Sequence, residues 1–168
     1  NKNTIRNEVR ALRQNLSTTQ ADIAANTLAK TLSQFQILKQ ASTIAIYLTN
    51  DGELDTAPAI NYLSTLPLTL ALPSMHRFDK RTLVFCRYNH ESEMTVNRFG
   101  IPEPVVTTQS IVPIDSIDVI FMPLVAFDAN GNRVGMGGGF YDRTLGSRHN
   151  KSKQLLVGLA YDFQQQDE

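Results

Sequence analysis

What most restricts the fold of this chain is an exchange, repeated along its length, of short apolar β-branched runs with segments of helical periodicity. "TIAIYL" (Thr43–Leu48), "LTLALP" (Leu68–Pro73), "DVIFMPLVAFD" (Asp118–Asp128) and "QLLVGLAYD" (Gln154–Asp162) read as strands, the third being the most apolar. Before the first of them, Ile5, Val9 and Leu12 form an apolar stripe on a polar N-terminal helix that also carries Arg6, Arg10 and Arg13. "STTQ" (Ser17–Gln20) has the form of a capping box and introduces a second helix with Ile23, Leu28, Leu32 and Phe35 on its apolar side. "APAINYLSTL" reads as a helix, and another starts at Tyr141. Strands and helices alternating in this way predict an α/β fold, a three-layer α/β/α arrangement around a mostly parallel sheet.

"RTLVFCRY" adds a half-buried strand in which Cys86 is expected to be core packing, and a single cysteine excludes an internal disulfide. The stretch from Asn89 to Asp115 reads as largely irregular, with "GIPEP" as either a functional loop or a plain surface crossing. A chain of 168 residues fits one domain, and sixteen charges of each sign argue against a partner held by bulk electrostatics, nucleic acid or an anionic membrane among them. No apolar run approaches the roughly 18 residues of a membrane span. The polar start lacks the hydrophobic stretch of a secretory signal, so the expected location is the cytoplasm. A monomer is the expected form. The chain opens on Asn rather than Met, so a native start further upstream is expected.

Chemistry concentrates in "RVGMGGGFYDRTL" (Arg133–Leu145), where a strand runs through glycines into a helix. Such a junction gathers backbone N–H groups and the positive helix start on one point, which suits an anion. The spacing fits neither the Walker loop nor the dinucleotide fingerprint, since Phe140 and Tyr141 follow Gly139. From the residues alone, an anion cradle and a tight turn both stand. Arg133 offers a planar fork for phosphate oxygens, and Asp142 either holds a hard cation such as Mg²⁺ or stabilises the helix start. His76, His90 and His149 have no metal-like spacing and are expected at the surface. Glu103 is expected to serve loop structure, and Asp128 and Asn130 to form a turn.

The same segment strongly resembles the signature of the 5-formyltetrahydrofolate cyclo-ligase family. "KNTIR" (Lys2–Arg6), "YLTNDGELDT" (Tyr47–Thr56), "FGIPEP" (Phe99–Pro104), "PLVAFDANGNR" (Pro123–Arg133) and "VGLAYDFQ" (Val157–Gln164) are similar to further landmarks of that family, in its order. The resemblance implies an ATP- and Mg²⁺-dependent closure of 5-formyltetrahydrofolate to 5,10-methenyltetrahydrofolate, in which the formyl oxygen is phosphorylated and phosphate then leaves. The fold it implies is that of the sugar-phosphate isomerase and CoA transferase-like superfamily. Two other readings are a phosphosugar or CoA-ester enzyme of that fold class and a non-catalytic sensor of a phosphate ligand.

By the resemblance, Lys2, Arg6, Arg133, Val134, Gly135, Met136, Gly137, Gly138, Gly139, Phe140 and Tyr141 contact ATP, and Asp142 takes Mg²⁺. Arg133 and Tyr141 are implied to serve catalysis. Asn50, Asp55, Met136, Gly137, Gly138, Gly139 and Phe140 are implied to border the folate. Read without it, Lys2 and Arg6 are a solvated helix face as readily as a ligand site, and Asp55 or Thr56 caps the next helix as readily as it meets a substrate. Gly138 stands where some relatives carry lysine, which shifts more of the phosphate charge onto Arg133, Lys2 and Mg²⁺. The family normally continues past "FQQQDE" with another aspartate near the metal, so either a further C-terminal segment or a metal ligand from elsewhere is expected.

Overall fold

The structure is a computed structural model that describes residues 1–149 and 151–167. Helix α1 (Lys2–Gln14) starts at Asn1, whose side chain accepts from the Asn3 N–H, and α2 (Thr18–Ser33) starts at the predicted capping box of Ser17 and Gln20. The buried line of α1 differs from the expected one. Leu12 is 47% exposed, whereas Arg13 is only 4% exposed and continues the i, i+4 row of Ile5 and Val9. In α2, Leu28 and Leu32 are buried as expected and Ile23 is exposed instead.

The central sheet contains β1 (Thr43–Ala45), β2 (Thr69–Met75), β3 (Leu83–Arg87), β6 (Ile111–Val112), β7 (Val119–Pro123) and β10 (Leu155–Leu159). Two ribbons stand outside it: β4 (Met94–Val96) with β5 (Pro102–Pro104), and β8 (Ala126–Phe127) with β9 (Arg133–Val134). Short helices α3 (Ala57–Leu63) and α4 (Phe140–Gly146) complete the elements used below. The sheet order is β10-β7-β1-β2-β3-β6; the first four strands run parallel, and β3 and β6 are antiparallel additions.

Alternation along each strand feeds two separate cores. Ile44, Leu70, Leu72, Val119 and Phe121 point to one face and pack with Leu28 and Leu32 of α2 and Ile60 and Leu63 of α3. Ala45, Ala71, Ile120 and Met122 point to the other, where Leu145 of α4 joins Phe85, Val112 and Ile117. A strand apolar on both faces is the pattern of a sheet covered on both sides, as the sequence predicted. Cys86 lies fully buried in β3, in agreement with a packing role.

Two stretches depart from their sequence reading. The segment expected to be irregular holds β4, β5 and β6, because Glu103 is buried and fastens the ribbon down: its carboxylate accepts from the Met75 N–H at 2.9 Å and from Asn97 Nδ2 at 3.1 Å. Ser74 Oγ donates to the Pro104 carbonyl at 2.7 Å. Prolines flanking Glu103 lack N–H donors, which hides such a strand from propensity rules. The apolar run Asp118–Asp128 is two elements rather than one strand, since the chain leaves the sheet after Pro123 and re-pairs as β8 with β9 around a turn. Asp128 makes that turn, accepting from the Asn130 and Asn132 N–H groups at 2.9 Å each.

The topology places a crevice. After β1 the chain moves through α3 to β2 on one side, yet β7 returns to pair with β1 on the other. Neighbouring parallel strands whose connections leave in opposite directions leave a gap beyond their carboxyl ends, the usual ligand position in open α/β sheets.

Candidate active site

Residues 47–56 follow the carboxyl end of β1, and residues 124–142 follow that of β7, so both loops open onto this crevice. Helix α1 lies beside β8 and touches each loop through one arginine per turn. Arg6 Nε donates to the Gly135 carbonyl at 2.9 Å, and Arg10 donates from Nε and Nη2 to an Asp51 carboxylate oxygen at 2.9 and 2.7 Å. Arg13 Nη2 donates to the Leu124 carbonyl at 2.6 Å.

The glycines make room for cations. Gly137 and Gly139 have φ of +103° and +69°, a region L side chains rarely enter. A Cβ at Gly137 would lie 3.4 Å from Arg6 Cζ, and one at Gly139 would lie 2.6 Å from Arg143 Nη1. Arg143 Nη2 also donates to the Gly138 carbonyl at 2.5 Å, and the Phe140 ring covers Gly138. With Arg133 behind Gly135, three guanidinium groups surround five residues of backbone. Beside Met136 and α1 lies a cavity of ≈ 290 Å³ lined by Asn3, Arg6, Asn7 and Arg10.

Arg133 and Asp142, the predicted phosphate and metal ligands, meet each other: Nη2 lies 2.5 Å from Oδ1. The Asp142 side chain is 74% exposed, so an incoming cation can reach it. Among the described residues no group of three or more His, Cys, Asp and Glu forms a metal cage. One open carboxylate fits the small protein donor set that Mg²⁺ takes when its other ligands are phosphate and water.

Across the crevice stands a residue that sequence reasoning passed over. Glu53 is half-buried, its carboxylate accepts from the Asn50 N–H at 3.0 Å, and burial pushes it from 4.5 up to about 7 against the pull of Asn50 and Arg13. Burial, and then the charge of Glu53, holds the Tyr141 hydroxyl well above its ordinary value, so Tyr141 is a proton donor near neutrality. The Tyr47 hydroxyl is raised for the same two reasons. Of the expected folate residues, Asn50 lies exposed in the turn before Glu53, and Asp55 accepts from the Ala57 N–H at 2.9 Å and from Thr49 Oγ at 3.3 Å. Lys2 sits exposed at the start of α1, one turn before Arg6. Glu53 lies inside "NDGELDT" with its neighbours; nothing in its own spacing sets it apart.

A mostly parallel sheet, with an arginine-ringed glycine loop and a half-buried acid on the two loops at its switch point, is the arrangement of an α/β ligand-binding fold. Comparison with known proteins makes the class specific: the chain belongs to the 5-formyltetrahydrofolate cyclo-ligase family, which it matches over residues 1–168. It is 44% identical over 161 residues to the 5-formyltetrahydrofolate cyclo-ligase of Haemophilus influenzae, covering 96% of this chain and 86% of that protein. The enzyme of the same name from Escherichia coli is 39% identical over 157 residues, covering 93% and 85%. The NMR structure of Aquifex aeolicus 5,10-methenyltetrahydrofolate synthetase superposes with a TM-score of 0.84 at 30% identity, covering 99% of this chain and 81% of that one. The chain is thus an enzyme of the ligase class.

Proposed function

We propose that this chain closes 5-formyltetrahydrofolate to 5,10-methenyltetrahydrofolate at the expense of ATP, with the triphosphate on the glycine cradle and the reduced pterin against Glu53. The observation that carries this reading is the meeting of Arg6, Arg133 and Arg143 around Gly135–Gly139, opposite Glu53 and Tyr141. In the reaction the formyl oxygen attacks the terminal phosphorus and ADP leaves. The folate N10 then adds to the activated carbon, the carbon–oxygen bond breaks, phosphate departs with that oxygen, and N10 loses its proton.

No covalent bond to the protein is required, so the residues act by position and charge. Arg133 swings from Asp142 to the transferring phosphoryl group, and Arg6 holds the loop so that its amides face the same oxygens. Asp142 would hold Mg²⁺, which would neutralise phosphate charge. Lys2, Met136 and the backbone of Val134 border the nucleotide, and Asn3 and Asn7 line its cavity. Glu53 accepts from the pterin N–H donors, with Asn50 and Asp55 on the rim and the Phe140 ring against the flat face. Tyr141 keeps its proton and donates to charge developing on the formyl oxygen.

The test is absorbance of the methenyl product on mixing the chain with ATP, Mg²⁺ and 5-formyltetrahydrofolate. Arg133→Ala is expected to lower kcat by about 100-fold or more, as loss of a donor to transition-state charge does elsewhere. Asp142→Ala is expected to raise the Mg²⁺ concentration needed for half-maximal rate. A wild-type chain that gives no absorbance change overturns the reading.

A further inference from the structure

Arg13 is the oddity of the molecule. Its side chain is buried in α1, its Nη2 donates to the Leu124 carbonyl, and its Nε is buried with no hydrogen-bond partner. A buried guanidinium is costly unless opposite charge or acceptors compensate it. Leu124 already accepts from Gln164 Nε2 at 3.0 Å, so that carbonyl is shared. The stem of Arg13 lies directly under the loop that carries Glu53: a Cβ on Gly52 would come within 3.2 Å of Arg13 Cβ, and Gly52 has φ of +71°. Arg10, one turn earlier, grips Asp51 in the same loop. Asp51 and Gly52, the two residues before Glu53, are therefore set down on two arginines of one helix.

We propose that Arg13 is a positioning residue of the folate side of the site, which acts through Glu53 by seating the loop that carries it. This rests on the functional reading above. The groups whose charge Glu53 meets are Arg13 from α1, Asp51 in its own loop, Tyr47 beyond β1 and Tyr141 from α4. Asp51 opposes ionisation of Glu53 and is itself paired with Arg10; the two tyrosines stay protonated. Arg13 is then the one cation of this set that favours the carboxylate. Near neutral pH a small change in that support decides whether Glu53 presents two acceptor oxygens or one acid proton to the pterin.

The experiment is a double-mutant cycle with Arg13→Met and Glu53→Gln, read as kcat/KM for 5-formyltetrahydrofolate at saturating ATP from pH 6 to 9, with thermal melting of each chain. With Glu53 present, Arg13→Met lowers kcat/KM by roughly tenfold at pH 7, largely through KM, and moves the acid limb to higher pH; with Gln at position 53 the further loss is under about threefold. Arg13→Lys keeps the cation and leaves the acid limb near its wild-type position. Arg13→Gln, smaller in its demand on the fold, is carried in parallel as the charge-free variant should Met not fold. Losses that multiply in full, or an acid limb that stays in place without the cation, overturn the proposal. If the wild-type chain does not turn over, the folate reading fails instead, and the pair is read from urea midpoints, where additive shifts of Arg13→Met and Glu53→Gln overturn it.

Discussion

At the scale of single residues, the site holds groups in states they would not choose in water. The raised Glu53 carboxyl is a clear case. Because the folded chain holds that proton between about pH 4.5 and 7 while an unfolded chain releases it, stability falls as pH rises through this window. Replacing the acid by its neutral isostere removes the loss. Glu53→Gln is expected to melt higher than wild type at pH 8 by an amount worth at most about 3 kcal/mol, and to match it near pH 4.5. Equal melting curves at both pH values would show that Glu53 is not held against its preference. The same substitution removes an acceptor from the folate side, so a stabler chain is expected to be a poorer enzyme, the usual trade at strained sites. Gly137 and Gly139 belong to the same scale: their positive φ lets the loop turn tightly enough for Arg6 and Arg143 to cover it.

Among elements, α1 and the β4–β5 ribbon do more than their length suggests. Helix α1 joins the two loops of the crevice, since Arg6 and Arg13 bond carbonyls of the loop after β7, Arg10 grips Asp51 in the loop of Glu53, and Gly52 of that loop lies against the stem of Arg13. The ribbon depends on Glu103, whose carboxylate accepts from the backbone of β2 and from Asn97. Glu103→Ala leaves a β2 N–H group and an amide unpartnered, and is expected to cost about 1–3 kcal/mol in urea unfolding. Phe99 packs edge-on to Phe140 with ring centroids 5.9 Å apart, so loosening the ribbon also frees one wall beside the glycine loop. A rise in KM without loss of kcat is the expected kinetic sign. The sequence reading of Glu103 as a structural residue agrees with this, although the strand around it was not legible because its prolines mimic a loop.

For the whole molecule, the sheet separates two cores and the crevice lies at its switch point, so packing and function meet in β1 and β7. Phe121 fills the larger core from β7 and is almost wholly buried; Phe121→Ala is expected to cost about 3–5 kcal/mol, measured by denaturant midpoint. Local patterning was enough to specify the helices with their capping box, most strands of the sheet, the α/β class and the glycine loop with Arg133 and Asp142, because each of these is written in neighbouring residues. The family landmarks belong with them, being short and contiguous. Strand order, the burial of Arg13, the raised proton affinity of Glu53 and the pairing of Arg133 with Asp142 came only from the tertiary structure. Arg13 and Leu124 are 111 positions apart, and a helical arginine reads as solvated until the partner that buries it is in place. A side chain's type and its close neighbours are linear facts, whereas its dielectric surroundings and counter-charges are set by whatever the fold brings across from elsewhere in the chain.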